Sequence, residues 1–271
     1  SNIFKKNPIV FSDKLNHQCI YEACESKNIY FLRFQHNNLN HLETLLKKNK
    51  NKLNPKFILS ESIFSMDGDF ADIEGLVFLK KKYNAFLFLD EAHATGIYGK
   101  NGFGLSVKFS KDIDCVTGTF SKAFGSFGAY VACSKKFKSF LINNCPSFIY
   151  STALPFSLLA SILSAIKIVP KLGKQRQILR NNSLFLRNSL KYAGFNICNS
   201  QTHIVPIIIG DPNKTILISN KLENKGLYLA PIRPPSVPSN SSRLRISVSS
   251  LHKLNHLNTL IKELKNLSHE F

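Results

Sequence analysis

A chain of 271 residues is long enough for one large domain, or for a large and a small one, and a hydrophobic fraction of 44% gives it a real core. The formal net charge of +19 invites a nucleic-acid or membrane partner, but the basic residues are scattered, with 29 Lys against 7 Arg. Abundant Lys, Asn, Ile, Phe and Ser with no Trp is the mixture of an AT-rich genome, so the charge is read as composition drift and no specific nucleic acid is expected. The six cysteines, at 19, 24, 115, 133, 145 and 198, form no CxxC pair. That suggests neither a zinc site nor a thioredoxin-like motif and fits reduced thiols in the cytoplasm. No apolar stretch follows Ser1–Lys6, so no signal peptide is expected, and no membrane span either.

In chain order, Pro8–Asp13 reads as a buried strand ending in a turn. Lys14–Cys24 reads as a helix with Leu15, Cys19, Ile20 and Ala23 on one face. Ile29–Phe34 is a strand, and Asn40–Lys50 a helix turning Leu42, Leu45 and Leu46 inward. Lys56–Ser60 is a strand, Phe70–Tyr83 a helix, and Ala85–Leu89, Ile113–Thr117 and Ala129–Cys133 are strands. Leu154–Val169 reads as a buried core helix. Beyond it, Gln175–Tyr192 is an amphipathic helix, Ile204–Ile209 a strand, and Ile216–Lys225 a helix closed by Gly226. Tyr228–Ile232 and Arg243–Val248 are strands, and Lys253–Leu267 closes the chain as a helix. Strands alternating with helices predict a mainly parallel α/β sheet over residues 1–169, followed by a smaller α+β domain over 170–271.

The chemistry gathers where two apolar runs stop. Phe86–Leu89 ends on Asp90, with His93 three residues later, and Thr117-Gly118-Thr119-Phe120-Ser121 leads to Lys122. Strand ends are where open α/β sheets place ligands. Two readings of Asp90 are open: an N-cap for the next turn, or the partner of a protonated pyridine nitrogen. His93 is likewise a structural imidazole or a group beside the same ring. Lys122 stands in a Gly/Ser/Thr turn that exposes its amine and lets a planar ring approach.

Asp90-Glu91-Ala92-His93-Ala94-Thr95-Gly96, with Gly99 and Gly102-Phe103-Gly104, resembles a signature of the α-oxoamine synthases, fold-type I pyridoxal phosphate enzymes. Gly118–Gly125 resembles their cofactor-lysine motif, and the likeness runs from about Asp13 to the C-terminus. Phe64–Asp69, Ile149–Pro155, Ile232-Arg233-Pro234-Pro235-Ser236-Val237-Pro238 and Arg243–Ile246 extend it. The resemblance implies pyridoxal 5'-phosphate as cofactor, a homodimer, and a fold-type I large domain with a smaller C-terminal domain. It implies that Lys122 is the covalent anchor and that Asp90 pairs with the pyridine nitrogen. Ser65 and His93 would face the phenolic oxygen, Thr119 the phosphate, and His17 the ring face. Arg245 would bind the amino-acid carboxylate, a task for which its fork suits it, and Ser236 would lie near the acyl substrate. Lys122, His17 and His93 are the expected catalytic residues.

The Ile-Arg-Pro-Pro-x-Val-Pro stretch favours the member that condenses L-alanine with a pimeloyl thioester, on coenzyme A or acyl carrier protein, in biotin synthesis. The alternatives are sister synthases using glycine or serine with other thioesters, an inactive fragment, or a non-catalytic paralogue. Lys122 argues against the last. Three positions depart from the family pattern: Phe103 for a basic residue, Phe156 for a second proline, and Ser236 for threonine. The family's N-terminal region, with its glycine-rich segment and phosphate loop, has no counterpart before Pro8, so these 271 residues are expected to be inactive alone.

Overall fold

Alternating strands and helices in the first part of the chain can bury their apolar faces only by layering helices against a sheet. The computed structural model describes residues 7–25 and 29–268, so the expectation placed on Ser1–Lys6 lies outside the described residues. Two compact units result, Ser1–Phe64 with Ala71–Leu172, and Ser65–Phe70 with Gly173–Phe271.

The first unit opens with β1 (Ile9–Asp13), α1 (Gln18–Cys24), β2 (Tyr30–Phe34), α2 (Leu39–Lys48), β3 (Lys56–Glu61), α3 (Ile73–Lys82) and β4 (Phe86–Asp90). It continues with β5 (Cys115–Thr119), β6 (Ala129–Cys133), α4 (Lys135–Asn144), α5 (Pro146–Ile149) and α6 (Phe156–Ile168). The six strands run in the order β2-β1-β3-β4-β5-β6. All pairings are parallel except β5 with β6, so the expected mainly parallel sheet is present with one antiparallel edge strand. Its core joins Phe11, Ile58, Leu87 and Leu89 of the sheet to Leu42 and Leu46 of α2 and Leu76 and Leu79 of α3. Asp13, Glu61, Asp90 and Thr119 are the last residues of four of these strands. The three acids therefore stand at the carboxyl ends of adjacent parallel strands.

The second unit holds α7 (Gly173–Tyr192), β7 (Ile204–Gly210), α8 (Pro212–Glu223), β8 (Ala230–Ile232), β9 (Ser242–Ser247) and α9 (Leu254–Asn266). Its sheet is antiparallel in the order β7-β9-β8. Leu186, Leu190, Val205, Ile207, Ile218, Leu222, Leu244 and Leu264 are buried within it.

Local chemistry moves several boundaries. The helix expected from Lys14 begins at Gln18, because the Asp13 carboxylate accepts the Leu15 N–H and His17 then caps the helix. Its inward face also differs: Cys24 is buried, whereas Cys19 and Ala23 are exposed. The helix expected from Phe70 starts at Ile73, after Asp72 accepts the Gly75 N–H. The one expected from Ile216 starts at Pro212, after Asp211 accepts the Lys214 N–H. Helix α4, capped by Ser134, was not expected from the pattern.

The largest correction concerns α6. The buried core helix expected over Leu154–Val169 is present as α6, but within Phe156–Ile168 only Ile162 is buried, with Val169 just beyond it, while Phe156, Leu163 and Ile168 are exposed. A helix apolar on every side needs partners on every side. The described residues of this chain cover one of them. No single helix among the described residues is long and apolar enough to cross a membrane.

Candidate active site

The site of the first unit lies just beyond the carboxyl ends of β3, β4 and β5. Asp90 pairs in register with Glu61 on one side and with Thr117 on the other. The Ala92 N–H donates to Asp90 Oδ1 at 2.8 Å. Burial pushes the Asp90 carboxyl up, and the Ala92 N–H, the charge of Lys122, His17 and the Thr117 hydroxyl pull it back only in part. Lys122 and His17, far apart in sequence, are thus both brought to Asp90. Lys122 itself is exposed.

The turn that carries Lys122 is closed on itself. The Phe120 N–H donates to Gly128 O at 2.9 Å, the Ser126 N–H to Phe120 O at 2.8 Å, and the Gly125 N–H to Lys122 O at 3.0 Å. The Thr119 hydroxyl donates to Gly128 O at 3.0 Å, accepts the Ser121 N–H at 3.1 Å, and lies 2.7 Å from Ser121 Oγ. A hydroxyl has one proton to give, so Thr119 spends its proton on shaping the turn. Ser121, which the sequence did not single out, presents a second, exposed hydroxyl beside it.

Tyr130 joins the two motifs. Its hydroxyl lies 2.9 Å from Thr95 Oγ1, and its ring packs so close over Gly118 that a Cβ there would sit 2.5 Å from it. Gly118 is therefore required for the close approach, not for its φ. Glu91, fully buried, accepts the Leu105 N–H at 2.6 Å, the Ser106 N–H at 2.8 Å and the Ser106 hydroxyl at 2.6 Å. It pins the glycine loop after the acid–histidine turn. His93 sits half-buried in the turn that Thr95 closes on Glu91, where the Thr95 N–H donates to Glu91 O at 2.9 Å.

His17 is the exposed N-cap of α1. Its Nδ1 accepts the Cys19 N–H at 3.3 Å, and its own N–H donates to Glu61 Oε1. Glu61, only 3% exposed, is a site residue that sequence reasoning missed. Burial, then the neighbouring Asp90 charge, push its carboxyl up to about 8.

Three expected residues lie in the second unit. The Ser65 carbonyl accepts Arg245 Nε at 2.6 Å, and Arg245 Nη1 donates to Ser247 Oγ at 3.0 Å. Arg243, on the same strand, is consumed by an ion pair with Asp67 and by the Ser241 carbonyl. Of these two strand arginines, Arg245 is the one that no carboxylate among the described residues of its unit neutralises. Burial pulls its guanidinium down from its ordinary value. Ser236 is exposed in a turn whose N–H donates to Arg233 O at 3.1 Å.

The donor set fits the cofactor that the sequence resemblance implies. Asp90 is a carboxylate held at a strand end with its burial cost incompletely offset, which a protonated ring nitrogen would complete. An exposed lysine stands near enough to Asp90 for their charges to interact.

The fold is that of the fold-type I pyridoxal phosphate-dependent transferases. Residues 2–264 match the family model for aminotransferase class I and II, and the chain belongs to that family. Over 245 residues it is 46% identical to a protein of Magnetococcus marinus named "Putative 8-amino-7-oxononanoate synthase", covering 90% of this chain and 62% of that one. A Bordetella pertussis protein of the same name is 44% identical over 257 residues, covering 95% and 65%. The chain thus spans a little under two thirds of the length of these curated relatives. Among solved structures, serine palmitoyltransferase of S. paucimobilis, with a bound pyridoxal phosphate–myriocin adduct, superposes with a TM-score of 0.91 at 29% identity. That likeness covers 97% of this chain and 67% of that one. Serine palmitoyltransferase of Sphingomonas wittichii gives a TM-score of 0.92 at 27% identity over 99% and 68%.

Proposed function

We propose that this chain carries the catalytic centre of an α-oxoamine synthase, which joins an amino acid to an acyl thioester with loss of carbon dioxide, using pyridoxal 5'-phosphate. The observation that carries the reading is the union of Asp90, Lys122 and His17 beyond the carboxyl ends of parallel strands. When bound, pyridoxal phosphate supplies an electron sink for the bonding pair left at the amino acid's α-carbon.

The chain's own residues do the rest. Lys122 would anchor the cofactor and, when its amine is free, would take the α-proton on Nζ. Asp90 holds the proton on the ring nitrogen through a charge-assisted hydrogen bond. His17 would stack against the ring, His93 and Ser65 would serve the phenolic oxygen, and Thr119 would serve the phosphate by turning its proton away from Gly128 O. Arg245 grips the amino-acid carboxylate, and Ser236 borders the acyl group. The α-carbon bonds to the thioester carbonyl carbon as the C–S bond breaks and its pair leaves on the thiolate; the carboxylate then departs as carbon dioxide, and the pair it leaves at the α-carbon takes up a proton from Lys122 Nζ.

The substrates in this reading are L-alanine and a pimeloyl thioester, giving 8-amino-7-oxononanoate for biotin. The name of relatives at 44–46% identity supports it over the serine palmitoyltransferase reading, whose structural support comes at 27–29% identity. The reading includes a homodimer, supported by the apolar residues that α6 leaves exposed, and the cytoplasm, supported by six unpaired cysteines. The test is carbon dioxide release with alanine, glycine or serine, each offered pimeloyl, acetyl and palmitoyl thioesters. Carbon dioxide release, where it occurs, is expected with alanine and the pimeloyl thioester alone, and no release from any pair would match the inactivity that the sequence predicts for these 271 residues by themselves. Preference for serine with the palmitoyl thioester would overturn the substrate assignment.

A further inference from the structure

Glu61 is the group that the proposed chemistry leaves without a task. It ends β3, is 3% exposed, and faces Asp90 across the parallel pairing of β3 and β4. Side chains in register on neighbouring strands point to the same face, so two carboxyl groups stand side by side in a desolvated place. Two adjacent buried carboxylates cannot both ionise cheaply. The surroundings decide which one keeps the charge. Asp90 is half-buried, accepts the Ala92 N–H, and feels Lys122 first and then His17. Glu61 is deeper, and the N–H that donates to it is that of His17.

The remaining groups around Glu61 do not change this order. Asp13, at the end of β1, adds a third negative charge, but it is met by His36 Nδ1 at 2.9 Å and by the Leu15 and Asn37 N–H groups. Lys122, beyond β5, is a cation that acts on Glu61, and its effect is smaller than those of Asp90 and Asp13. Cys19 and Tyr21 of α1 also feel the Glu61 charge and bring no positive charge of their own.

We propose that Glu61 is a positioning residue of this site: it keeps its proton at neutral pH, accepts the His17 N–H to fix the segment that carries His17, and leaves Asp90 as the single charged carboxylate opposite Lys122. The name "site" rests on the function proposed above, but the protonation and the His17 bond belong to the free chain. Ionising Glu61 would add a second negative charge beside Asp90 and strengthen the acceptor of the His17 N–H.

The experiment is an NMR titration of the free chain, without cofactor, from about pH 6 to about pH 9. It follows the carboxyl carbons of the nine glutamates and the His17 amide. One carboxyl is expected to titrate near 8, displaced from the ordinary value of about 4.3. The His17 amide is expected to move with the same midpoint. Glu61→Gln, which mimics the neutral acid, should abolish both movements and leave the far-ultraviolet circular dichroism unchanged. The spectrum of that variant also separates Glu61 from Glu91, the other fully buried glutamate among the described residues. Should the variant not fold, the wild-type His17 amide still decides the matter. A His17 amide that stays flat through this range, or glutamates that all titrate in the ordinary range, would overturn the proposal. A chain that fails to bind pyridoxal phosphate but shows the titration would refute the proposed function and leave this inference standing.

Discussion

Glu61 and Asp90 face one another across adjacent parallel strands, one fully buried and holding the His17 N–H, the other half-buried and within the field of Lys122. The pairing makes stability depend on pH with a definite sign. Folding lifts the Glu61 carboxyl from about 4.3 to about 8, so between those values the folded chain holds a proton that the unfolded chain has lost. Stability must then fall as pH rises, beginning above about 4.3 and ending past about 8, by at most about 1.4 kcal/mol per pH unit. Asp90 and Glu91, both pushed up by burial, act in the same direction. Urea midpoints across that range should decline in the wild type and decline less in Glu61→Gln. Equal slopes would contradict the assignment.

The buried Glu91 loop lock should be sensitive to a single methyl group. Gly104 has φ +96°, and a Cβ on it would lie 1.9 Å from Glu91 Oε2. Gly104→Ala adds backbone strain and displaces the carboxylate from its three donors, a cost of about 2–5 kcal/mol. Denaturant unfolding would measure it. A change under about 0.5 kcal/mol, the size of an ordinary surface substitution, would show that the loop adapts freely.

In the second unit, Arg243 is 5% exposed and ion-paired with Asp67. Removing one partner of a buried pair strands the other charge, so Arg243→Ala should cost about 3–5 kcal/mol in thermal or urea unfolding. Arg245→Ala leaves no carboxylate stranded among the described residues of the unit and should cost clearly less. The reverse order would contradict the division of labour between the two arginines.

Asp90→Asn keeps the shape and removes the charge. A hydrogen bond to a charged group contributes about 1.5–3 kcal/mol, so the dissociation constant for pyridoxal phosphate should rise about 10- to 100-fold. Equilibrium dialysis or absorbance titration reads it directly. Unchanged affinity would detach Asp90 from the ring nitrogen.

The ends of β4 and β5 were legible because an apolar run that stops on a polar residue marks itself in sequence. Asp90 and Lys122 mark themselves in that way, and the His17 charge reaches the same carboxylate. Glu61 was not legible: its meaning depends on which residue lies beside it in the next strand, and register is a tertiary fact. Tyr130 was hidden for the same reason, since its contact with Thr95 spans 35 residues. Helix starts slipped where an Asp cap took precedence over the apolar period, at Asp72 and Asp211. The burial expected of α6 failed because hydrophobicity reports the need for a partner and not the partner's presence.

The most direct test of Lys122 as the cofactor anchor is borohydride reduction of the chain in the presence of pyridoxal phosphate, read out by peptide mass spectrometry. With 29 lysines in the chain, selectivity is the readout. The expected result is a visible imine band and a stable pyridoxyl adduct on Lys122, both lost in Lys122→Ala. An adduct spread over the surface lysines, unchanged in Lys122→Ala, would contradict it.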